Sequence, residues 1–410
     1  MQDRTVVGPE VLEVYLKENP STITIEEEHE YLKFKSGQRR LWHSLLKLPP
    51  RAFRDAEVLD YGCGTGEIDV LLAQNGAFVK GVDFNPESID RARKLAEKFA
   101  LQNRLNFLVG DIHESIFEPT SADFAISLGV LPHVAKPEVV FQNMVQTLRP
   151  EAFLVLGFVE ELGIVQRLLH RSIVRAIAGI DEDKIMAIAR QAFPDHINRS
   201  VRFGQRSERS VVYDYLINRH MYGLPLEKVL GWFDSHGISL YSSWPSIDLP
   251  FRINPYTSKS LALMNPAWKE YRALLRLRML FTQFEDDDVF SSLLSEKGFD
   301  AGHSIRCHVN DLSELMTGLV QNQSQLWPDQ DLQQLPELTV SLKCTADMVM
   351  NKLWRNLMDD LKQACNALEQ VVSDIGKLQR NEISEFRPAA NLFRELNGLG
   401  TFYLVGVLER

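Results

Sequence analysis

The chain has few cysteines and no long apolar run, and each absence excludes a class of protein. Its 410 residues include four cysteines: Cys63, Cys307, Cys344 and Cys365. They are too few and too scattered for a disulfide framework, and they fit a reducing compartment. Apolar runs such as Phe153 to Val159 are far too short to span a bilayer. We therefore expect no membrane partner.

Basic residues are also fewer than acidic residues. The chain has 45 Lys and Arg against 55 Asp and Glu, which gives a formal net charge of −10. This balance argues against a protein that grips nucleic acid through its overall field, although it leaves room for a local basic groove. The first residues are charged and contain no apolar segment of the signal-peptide type, so we expect a cytoplasmic protein.

What the sequence does contain is a regular alternation of strand and helix patterns. The predicted strands are Glu57–Tyr61, Phe78–Asp83, Leu105–Val109, Asp123–Leu128, Phe153–Val159, Ile238–Trp244 and Thr401–Leu408. Strands that alternate with helices at this spacing predict a parallel sheet with right-handed crossovers. The last strand needs a sheet to join, and strand six is its simplest neighbour. We predict an α/β, doubly wound, mostly parallel seven-stranded sheet with an antiparallel last strand and a large helical insertion between strands 6 and 7.

The stretch from Val58 to Glu67 combines a strand, a glycine turn and the start of a helix. Gly62, Gly64 and Gly66 stand at alternate positions of the turn. Glycine tolerates φ > 0 and lets a ligand approach bare backbone. Asp83 closes the next strand, where a carboxylate can accept both hydroxyls of a ribose. The pattern therefore predicts a nucleoside-type cofactor at the edge of the sheet.

The turn lacks the features that bind phosphates. Glu67 occupies the place where the dinucleotide fingerprint has its last glycine, and no Gly-Lys-Ser/Thr follows as in a P-loop. The acidic residues Asp60 and Glu67 flank the turn, which disfavours a pyrophosphate and suits a cation. We therefore expect a nucleoside that carries positive charge.

Four motifs in order resemble those of class I S-adenosylmethionine-dependent methyltransferases of the small-molecule branch. They are Asp60-Tyr-Gly-Cys-Gly-Thr-Gly66, Gly81-Val-Asp83, Gly110-Asp111 and Ser127-Leu-Gly-Val-Leu-Pro-His133, and they cover roughly residues 55–160. Weaker similarity in Tyr213-Asp-Tyr, Val229 to Ile238 and Ser243-Trp-Pro245 looks like a bacterial subgroup with a helical insert after strand 5.

The resemblance implies S-adenosyl-L-methionine as cofactor and in-line transfer of its methyl group to a small-molecule acceptor. Its implied cofactor-binding residues are Asp60, Gly62, Cys63, Gly64, Gly66, Asp83, Phe84, Asp111, Ile112, Leu128 and Gly129. By this analogy Asp60 and the glycines hold the methionine end and ribose, Asp83 takes the ribose hydroxyls, and Asp111 with Ile112 meets the adenine. Leu128 and Gly129 line the pocket after strand 4.

His133 is the candidate catalytic residue because it follows strand 4, where the acceptor should approach. A histidine can take a proton from an attacking O–H or N–H near neutral pH. The alternative is a passive role, since the donor is already activated and alignment alone can supply much of the rate. His303, Cys307 and His308 have helical spacing but no partner pair, so no metal site is predicted.

Two further groups have open interpretations. Tyr31, Arg39 and Trp42 could cover the sulfonium with aromatic faces, or they could simply pack a helix. The arginines between Arg199 and Arg209 could recognise an anionic substrate or form a solvated face.

The predicted organisation has five parts. These are an N-terminal helical cover (1–50), a cofactor-binding Rossmann-like core (51–160), a helical lid with strand 6 (161–250), a mostly helical insertion (251–395) and the last core strand (396–410). Apolar positions in 345–378 could join a second copy of the chain or form an internal bundle face.

Two other function classes stay open. One is an RNA or protein methyltransferase, although the run after strand 4 has no Asn/Asp-Pro-Pro-Tyr/Phe motif of base methylation. The other is a non-catalytic interaction module that binds S-adenosylmethionine.

Overall fold

The computed structural model describes residues 28–160, 181–194, 207–217, 223–244 and 401–409, together with scattered residues of 170–201 and residues 247, 370, 373 and 377. The predicted insertion at 251–395 therefore lies almost wholly outside the described residues. The five domain boundaries stay predictions.

The described helices and strands alternate as the sequence predicts. The helices are α1 (Glu28–Arg39), α2 (Glu67–Gln74), α3 (Pro86–Lys98), α4 (Pro137–Thr147), α5 (Glu182–Ala192), α6 (Glu208–Val212) and α7 (Leu226–Ser235). The strands are β1 (Glu57–Tyr61), β2 (Phe78–Asp83), β3 (Leu105–Val109), β4 (Ala122–Leu128), β5 (Leu148–Val159), β6 (Ile238–Trp244) and β7 (Thr401–Leu408). Two π-helical segments, Arg40–Leu45 and Tyr213–Ile217, continue α1 and α6.

The seven strands form one sheet in the order β3-β2-β1-β4-β5-β7-β6. Neighbours from β3 to β5 pair in parallel, whereas β7 is antiparallel to both β5 and β6. The seven-stranded sheet with an antiparallel last strand is thus confirmed. The last strand pairs with β6 as expected, and it also pairs with β5, so it lies between them.

Strand β5 begins earlier than the sequence suggested. We expected Pro150 to separate α4 from a strand starting at Phe153, but the strand begins at Leu148. Its pairing with β4 shifts between Ala122 and Phe124, and Glu151 has a φ of 65°. A proline cannot donate to a sheet ladder and is tolerated at such an irregularity.

The strand order reverses between β1 and β4. In open α/β sheets, ligands bind beside the carboxyl ends of the strands at such a switch point. The glycine turn follows β1, and the Gly129-Val130 turn follows β4. These two turns are in contact, because a Cβ built on Gly62 would lie 2.3 Å from Val130 Cγ2.

The N-terminal helix packs on the helical layer that covers the sheet. Tyr31 is buried, donates from its hydroxyl to Gln74 Oε1 at 2.6 Å, and has its ring centroid 4.5 Å from that of Phe99. Trp42 is buried with its ring 5.5 Å from Phe53. Because Gln74 ends α2 and the glycine turn precedes α2, Tyr31 lies at the opposite end of that helix from the turn. For Tyr31 and Trp42 the structure therefore favours the packing interpretation over a cofactor cover.

A second apolar core forms in the helical segment after β5. Its buried members include Ala189, Phe193, Val212 and Leu216. Within it, Tyr215 Oη lies 2.6 Å from His170 Nδ1, and the His170 ring stacks on Phe193 at 4.2 Å. Over the described part of the chain, no helix has the length and apolarity needed to cross a membrane.

Candidate functional site

The three glycines of the turn have different environments. All three have positive φ: 90° at Gly62, 55° at Gly64 and 81° at Gly66. A Cβ on Gly62 would collide with Val130, and one on Gly66 would lie 3.0 Å from both Ala92 Cβ and Phe107 Cζ. A Cβ on Gly64 would meet nothing within 4 Å. Packing therefore requires the outer glycines, while the middle one presents bare backbone to open space.

Hydrogen bonds fix the turn against the end of β2. The amides of Gly62 and Cys63 donate to the carbonyl of Val82 at 2.8 and 3.1 Å. The amide of Gly64 donates to Asp83 Oδ2 at 3.0 Å. One backbone carbonyl and one carboxylate at the end of β2 thus hold the bare stretch of backbone in place.

Asp83 is oriented by backbone donors from two sides. Besides Gly64, the amide of Asn85 donates to Asp83 Oδ1 at 2.9 Å. Burial raises the pKa of Asp83, and these two hydrogen bonds oppose the shift. The α3 N-cap is Asn85, whose side chain accepts from Glu87 N at 3.0 Å, so Asp83 is not needed as a cap. An ionised carboxylate has about four acceptor positions, so capacity remains for a ligand.

Two buried carboxyl groups lie beneath the turn. Asp60, at the end of β1, is 5% exposed, and Asp69, in the first turn of α2, is fully buried. Burial raises the pKa of Asp60 to about 7, with nearby Asp83 adding to the rise and Asp69 opposing it. Burial and the neighbouring Asp60 raise the pKa of Asp69 well above its usual value.

Glu67 adds a third, half-buried acid at the start of α2. Burial raises its pKa, and the Thr65 hydroxyl, which donates to its carboxylate at 2.7 Å, opposes the rise. The nearest basic influence on Glu67 comes from Arg91 of α3. The acidic flank predicted from Asp60 and Glu67 is thus larger than expected, because the sequence analysis missed Asp69.

Cys63 fills space between the turn and β2. A Cβ on Gly81 would lie 2.8 Å from both Cβ and Sγ of Cys63, so the thiol rests on bare backbone. Burial first, and then the carboxylates of Asp69, Asp60 and Asp83, raise the pKa of this thiol well above its usual value. A thiol held neutral is a poor nucleophile, so Cys63 is suited to packing in the turn and not to nucleophilic attack.

Asp111 lies next to Asp83 because β2 and β3 are neighbours. The Gly110 amide donates to the Asp83 carbonyl at 3.0 Å. Asp111 Oδ1 accepts from the His113 amide at 2.9 Å and lies 2.7 Å from His113 Nδ1. Asp111 therefore forms the hydrogen bonds of a turn residue, and its position at the edge of the site also suits the predicted contact with adenine. His113, only 9% exposed, was not singled out from the sequence.

The main chain beyond Asp111 is held from α4. Asn143 Nδ2 donates to the carbonyls of Ile112 at 3.0 Å and Glu114 at 3.2 Å. A single amide side chain thus fixes the segment that contains Ile112.

The turn after β4 completes this edge of the sheet. Ser127 is buried and donates to the Tyr61 carbonyl at 3.0 Å. Gly129 has a φ of 75°, and its amide donates to the Gly157 carbonyl at 2.7 Å. A Cβ on Gly129 would meet nothing within 4 Å, so this backbone is open too. His133 ends the short 3₁₀ turn that follows, half-buried, at the same edge.

Other predicted groups lie elsewhere or outside the described residues. Arg209 pairs with Glu182 at 3.6 Å in the helical segment. Arg199, Arg202 and Arg206, and the histidine pair near Cys307, fall outside the described residues. In the part of the chain that is described, no three or more His, Cys, Asp or Glu side chains are arranged to hold a metal ion.

Residues 53–191 match the family model described as a methyltransferase domain. That part of the chain therefore matches a methyltransferase domain, and the sheet order and the turn agree with the class I S-adenosylmethionine-dependent methyltransferase that the motifs predict. The bacterial subgroup and its helical insert stay predictions.

Similar proteins transfer methyl groups to different atoms. The chain is 32% identical over 118 residues to the mitochondrial ubiquinone biosynthesis O-methyltransferase of Schizosaccharomyces pombe (28% of this chain, 42% of that protein). It is 28% identical over 146 residues to the ubiquinone biosynthesis O-methyltransferase of Coxiella burnetii (32% and 61%). It is 29% identical over 100 residues to norajmaline N-methyltransferase of Rauvolfia serpentina (24% and 34%). Each match spans less than two thirds of the relative's length.

Proposed function

We propose that this protein is an S-adenosylmethionine-dependent methyltransferase that acts on a small-molecule acceptor. The observation that carries the proposal is the open backbone at Gly64, which Asp83 holds in place at the switch point of the sheet. Bare amide backbone beside an oriented carboxylate suits a ribose and an amino-acid tail, and the buried acids suit a cationic ligand. The methyltransferase-domain match supports the same conclusion.

The proposed contacts follow the order of the strand ends. Asp60, Gly62, Cys63, Gly64 and Gly66 would hold the methionine end and ribose. Asp83 with Phe84 would take the ribose hydroxyls, Asp111 with Ile112 the adenine, and Leu128 with Gly129 the pocket wall.

The donor supplies a methyl group already activated by its sulfonium. The chain's own task is to align that group with the acceptor and to exclude water, for which the two turns at the switch point are fixed by backbone hydrogen bonds. His133 would accept a proton where the acceptor nucleophile is an O–H or N–H, and it would only shape the site otherwise.

The acceptor atom stays open between oxygen, nitrogen and other nucleophiles, since similar proteins include both O- and N-methyltransferases. We propose that residues 161–225 cover the acceptor. A cytoplasmic location and association through the C-terminal helices belong to the same proposal. An RNA or protein acceptor and a non-catalytic binding role are the alternatives that the experiments below separate.

Calorimetry with S-adenosylhomocysteine tests the cofactor assignment. We expect binding by the wild-type protein and a loss of about 100-fold in affinity for Asp83→Ala, because hydrogen bonds to a charged group contribute about 1.5–3 kcal/mol each. Asp90→Ala is the matched control: this aspartate lies on the surface of α3 and pairs only with Lys94, at 2.7 Å, in the ion pairs described. No binding by the wild-type protein would refute the proposal.

A turnover assay then tests the acceptor class. The protein is incubated with methyl-labelled donor and, separately, with metabolite extract, RNA and protein. Label in a small molecule is expected. Label in RNA or protein would favour the alternative enzyme class, and binding without any transfer would favour the interaction module.

A further inference from the structure

The carboxyl pair of Asp60 and Asp69 has an arrangement that the cofactor assignment alone does not explain. A buried carboxylate normally accepts several hydrogen bonds or faces a cation. Asp69 is fully buried, and neither of its carboxyl oxygens has a hydrogen-bond donor within the described ranges. The side chain that interacts most with it is another acid, Asp60.

The charges around the pair are mostly negative. From β2, Asp83 faces Asp60, and from α2, Glu67 faces Asp69. The thiol of Cys63 lies among the same carboxylates. Arg91 of α3 is the basic group that acts on this cluster, and it acts on Glu67.

Two ionised carboxylates cannot donate to each other. If Asp60 and Asp69 were both charged, like charges would be buried side by side without a donor. One shared proton supplies the missing O–H donor and removes one charge. Acidic pairs in close contact commonly keep a proton for this reason. Of the two, Asp60 lies at the strand end beside the glycine turn, where the ligand is expected.

We infer that Asp60 and Asp69 share one proton in the ligand-free protein, and that the proton leaves to solvent when the ammonium group of the donor's methionine end binds beside Asp60. Asp69 is then a positioning residue, because it acts on the ligand through Asp60. The charge balance is simple: one positive group enters and one proton departs. The inference rests on the proposed cofactor. Its consequence is that donor affinity rises with pH as the pair gives up its proton in solution.

Proton release can be counted by calorimetry in buffers of different ionisation enthalpy, such as phosphate and imidazole. The titration is made with S-adenosylhomocysteine at about pH 6.5, where the ligand amine is already protonated. We expect release of about 0.5–1 proton per ligand bound, by linkage between binding and the raised pKa of the pair. The neutral analogue 5′-methylthioadenosine lacks the ammonium group and should bind without release.

Asp69→Asn assigns the release to the pair. The amide keeps the shape and donates to Asp60, which then stays ionised, so the variant should bind S-adenosylhomocysteine with little proton release and with affinity that changes less than twofold between about pH 6 and 8. Over the same interval the wild-type affinity should rise severalfold. If Asp69→Asn does not fold, infrared difference spectra of the wild-type protein replace it, and the protonated carboxyl C=O band should disappear on ligand binding.

The outcomes separate this inference from the proposed function. Binding of S-adenosylhomocysteine without proton release, or equal release by the wild-type protein and Asp69→Asn, would overturn the shared proton and leave the cofactor assignment intact. Equal release with 5′-methylthioadenosine would overturn the role of the ammonium group. Absence of any binding would instead refute the proposed function.

Discussion

Two buried polar regions of this molecule differ in the hydrogen-bond partners of their side chains. In the helical segment after β5, Tyr215 Oη lies 2.6 Å from His170 Nδ1, and Arg171 Nε donates to the Tyr215 carbonyl at 2.9 Å. Beneath the glycine turn, Asp69 has no donor among the residues described, and its partner is the acid Asp60.

The difference distinguishes polar side chains that stabilise the fold from polar side chains that serve ligand binding. Hydrogen bonds such as those that Tyr215 makes with His170 and Arg171 fix how helices pack. A buried acidic pair costs stability unless something outside the fold compensates it. The two regions should therefore respond oppositely to ligand, to pH and to removal of a polar atom.

The largest expected effect concerns two glycines of the turn, one enclosed by packing and one open. Gly62→Ala adds a methyl group that would lie 2.3 Å from Val130 at a φ of 90°, so we expect it to lower the free energy of unfolding by about 3 kcal/mol. Gly64→Ala enters open space at a φ of 55° and should cost about 1 kcal/mol. Urea denaturation measures both.

Ligand binding should reverse the ranking of the two glycine variants. Gly64→Ala should bind S-adenosylhomocysteine at least about tenfold more weakly, because the added methyl group occupies the space left for the ligand. Equal stability losses in the two variants would contradict the distinction between an enclosed and an open glycine.

Ligand should stabilise the protein through the turn and not through the helical network. At a ligand concentration 100 times Kd, S-adenosylhomocysteine should add about 2.7 kcal/mol to the free energy of unfolding. Asp83→Ala should lose this gain, while Tyr215→Phe should keep it. Thermal denaturation with and without ligand makes the comparison, and a loss of the gain in Tyr215→Phe would show that the two regions are coupled.

Removal of the Tyr215 hydroxyl should itself weaken the fold. Tyr215→Phe leaves the buried His170 without this hydrogen bond, which typically costs about 1–3 kcal/mol. Denaturation by urea at neutral pH provides the measurement. Tyr241→Phe is a fitting control, because this tyrosine is 47% exposed. A variant as stable as the wild-type protein would remove the contrast with Asp69.

The effect that is smallest per pH unit is the change of stability with pH. The pKa of Asp60 is raised from 3.8 to about 7, so protonation favours the folded state. This contribution is fully present below about pH 4 and is lost as pH rises toward about 7, by at most about 1.4 kcal/mol per pH unit for one proton. The ligand-free wild-type protein should lose stability through this window relative to Asp69→Asn, as measured by denaturation at several pH values.

Asp90→Asn serves as the control for the slope, since this exposed carboxylate titrates below the window because Lys94 lowers its pKa. Parallel stability curves for the wild-type protein and Asp69→Asn would contradict the raised pKa of the pair.

Local pattern was sufficient to predict most of the sheet. The bounds of β1, β2, β3, β6 and β7 agree with the prediction, because each is a short apolar run that ends in turn residues. The position of β7 between β5 and β6 was only half predicted, because pairing between distant segments leaves no local signal. The early start of β5 was missed since Pro150 normally ends such a pattern.

The sequence predicted those site residues whose type is restricted by the backbone around them. The glycines and Asp83 were identified because a turn and a strand end restrict which residues fit. Asp69 was missed because an acid in the first turn of a helix is ordinary, and only the tertiary packing of α2 against the sheet buries it. Tyr31 and Trp42 were ambiguous for the same reason, since an aromatic stripe does not reveal which end of a neighbouring helix it meets.

The position of β7 also has a consequence for synthesis. A chain made from its amino end completes β5 and β6 long before Thr401 emerges, and until then each lacks the neighbour that joins them. Two open strand edges are sites for aberrant pairing. The strand that joins β5 to β6 is therefore synthesised last. The incomplete chain, with both strand edges open, is the form that most needs a chaperone.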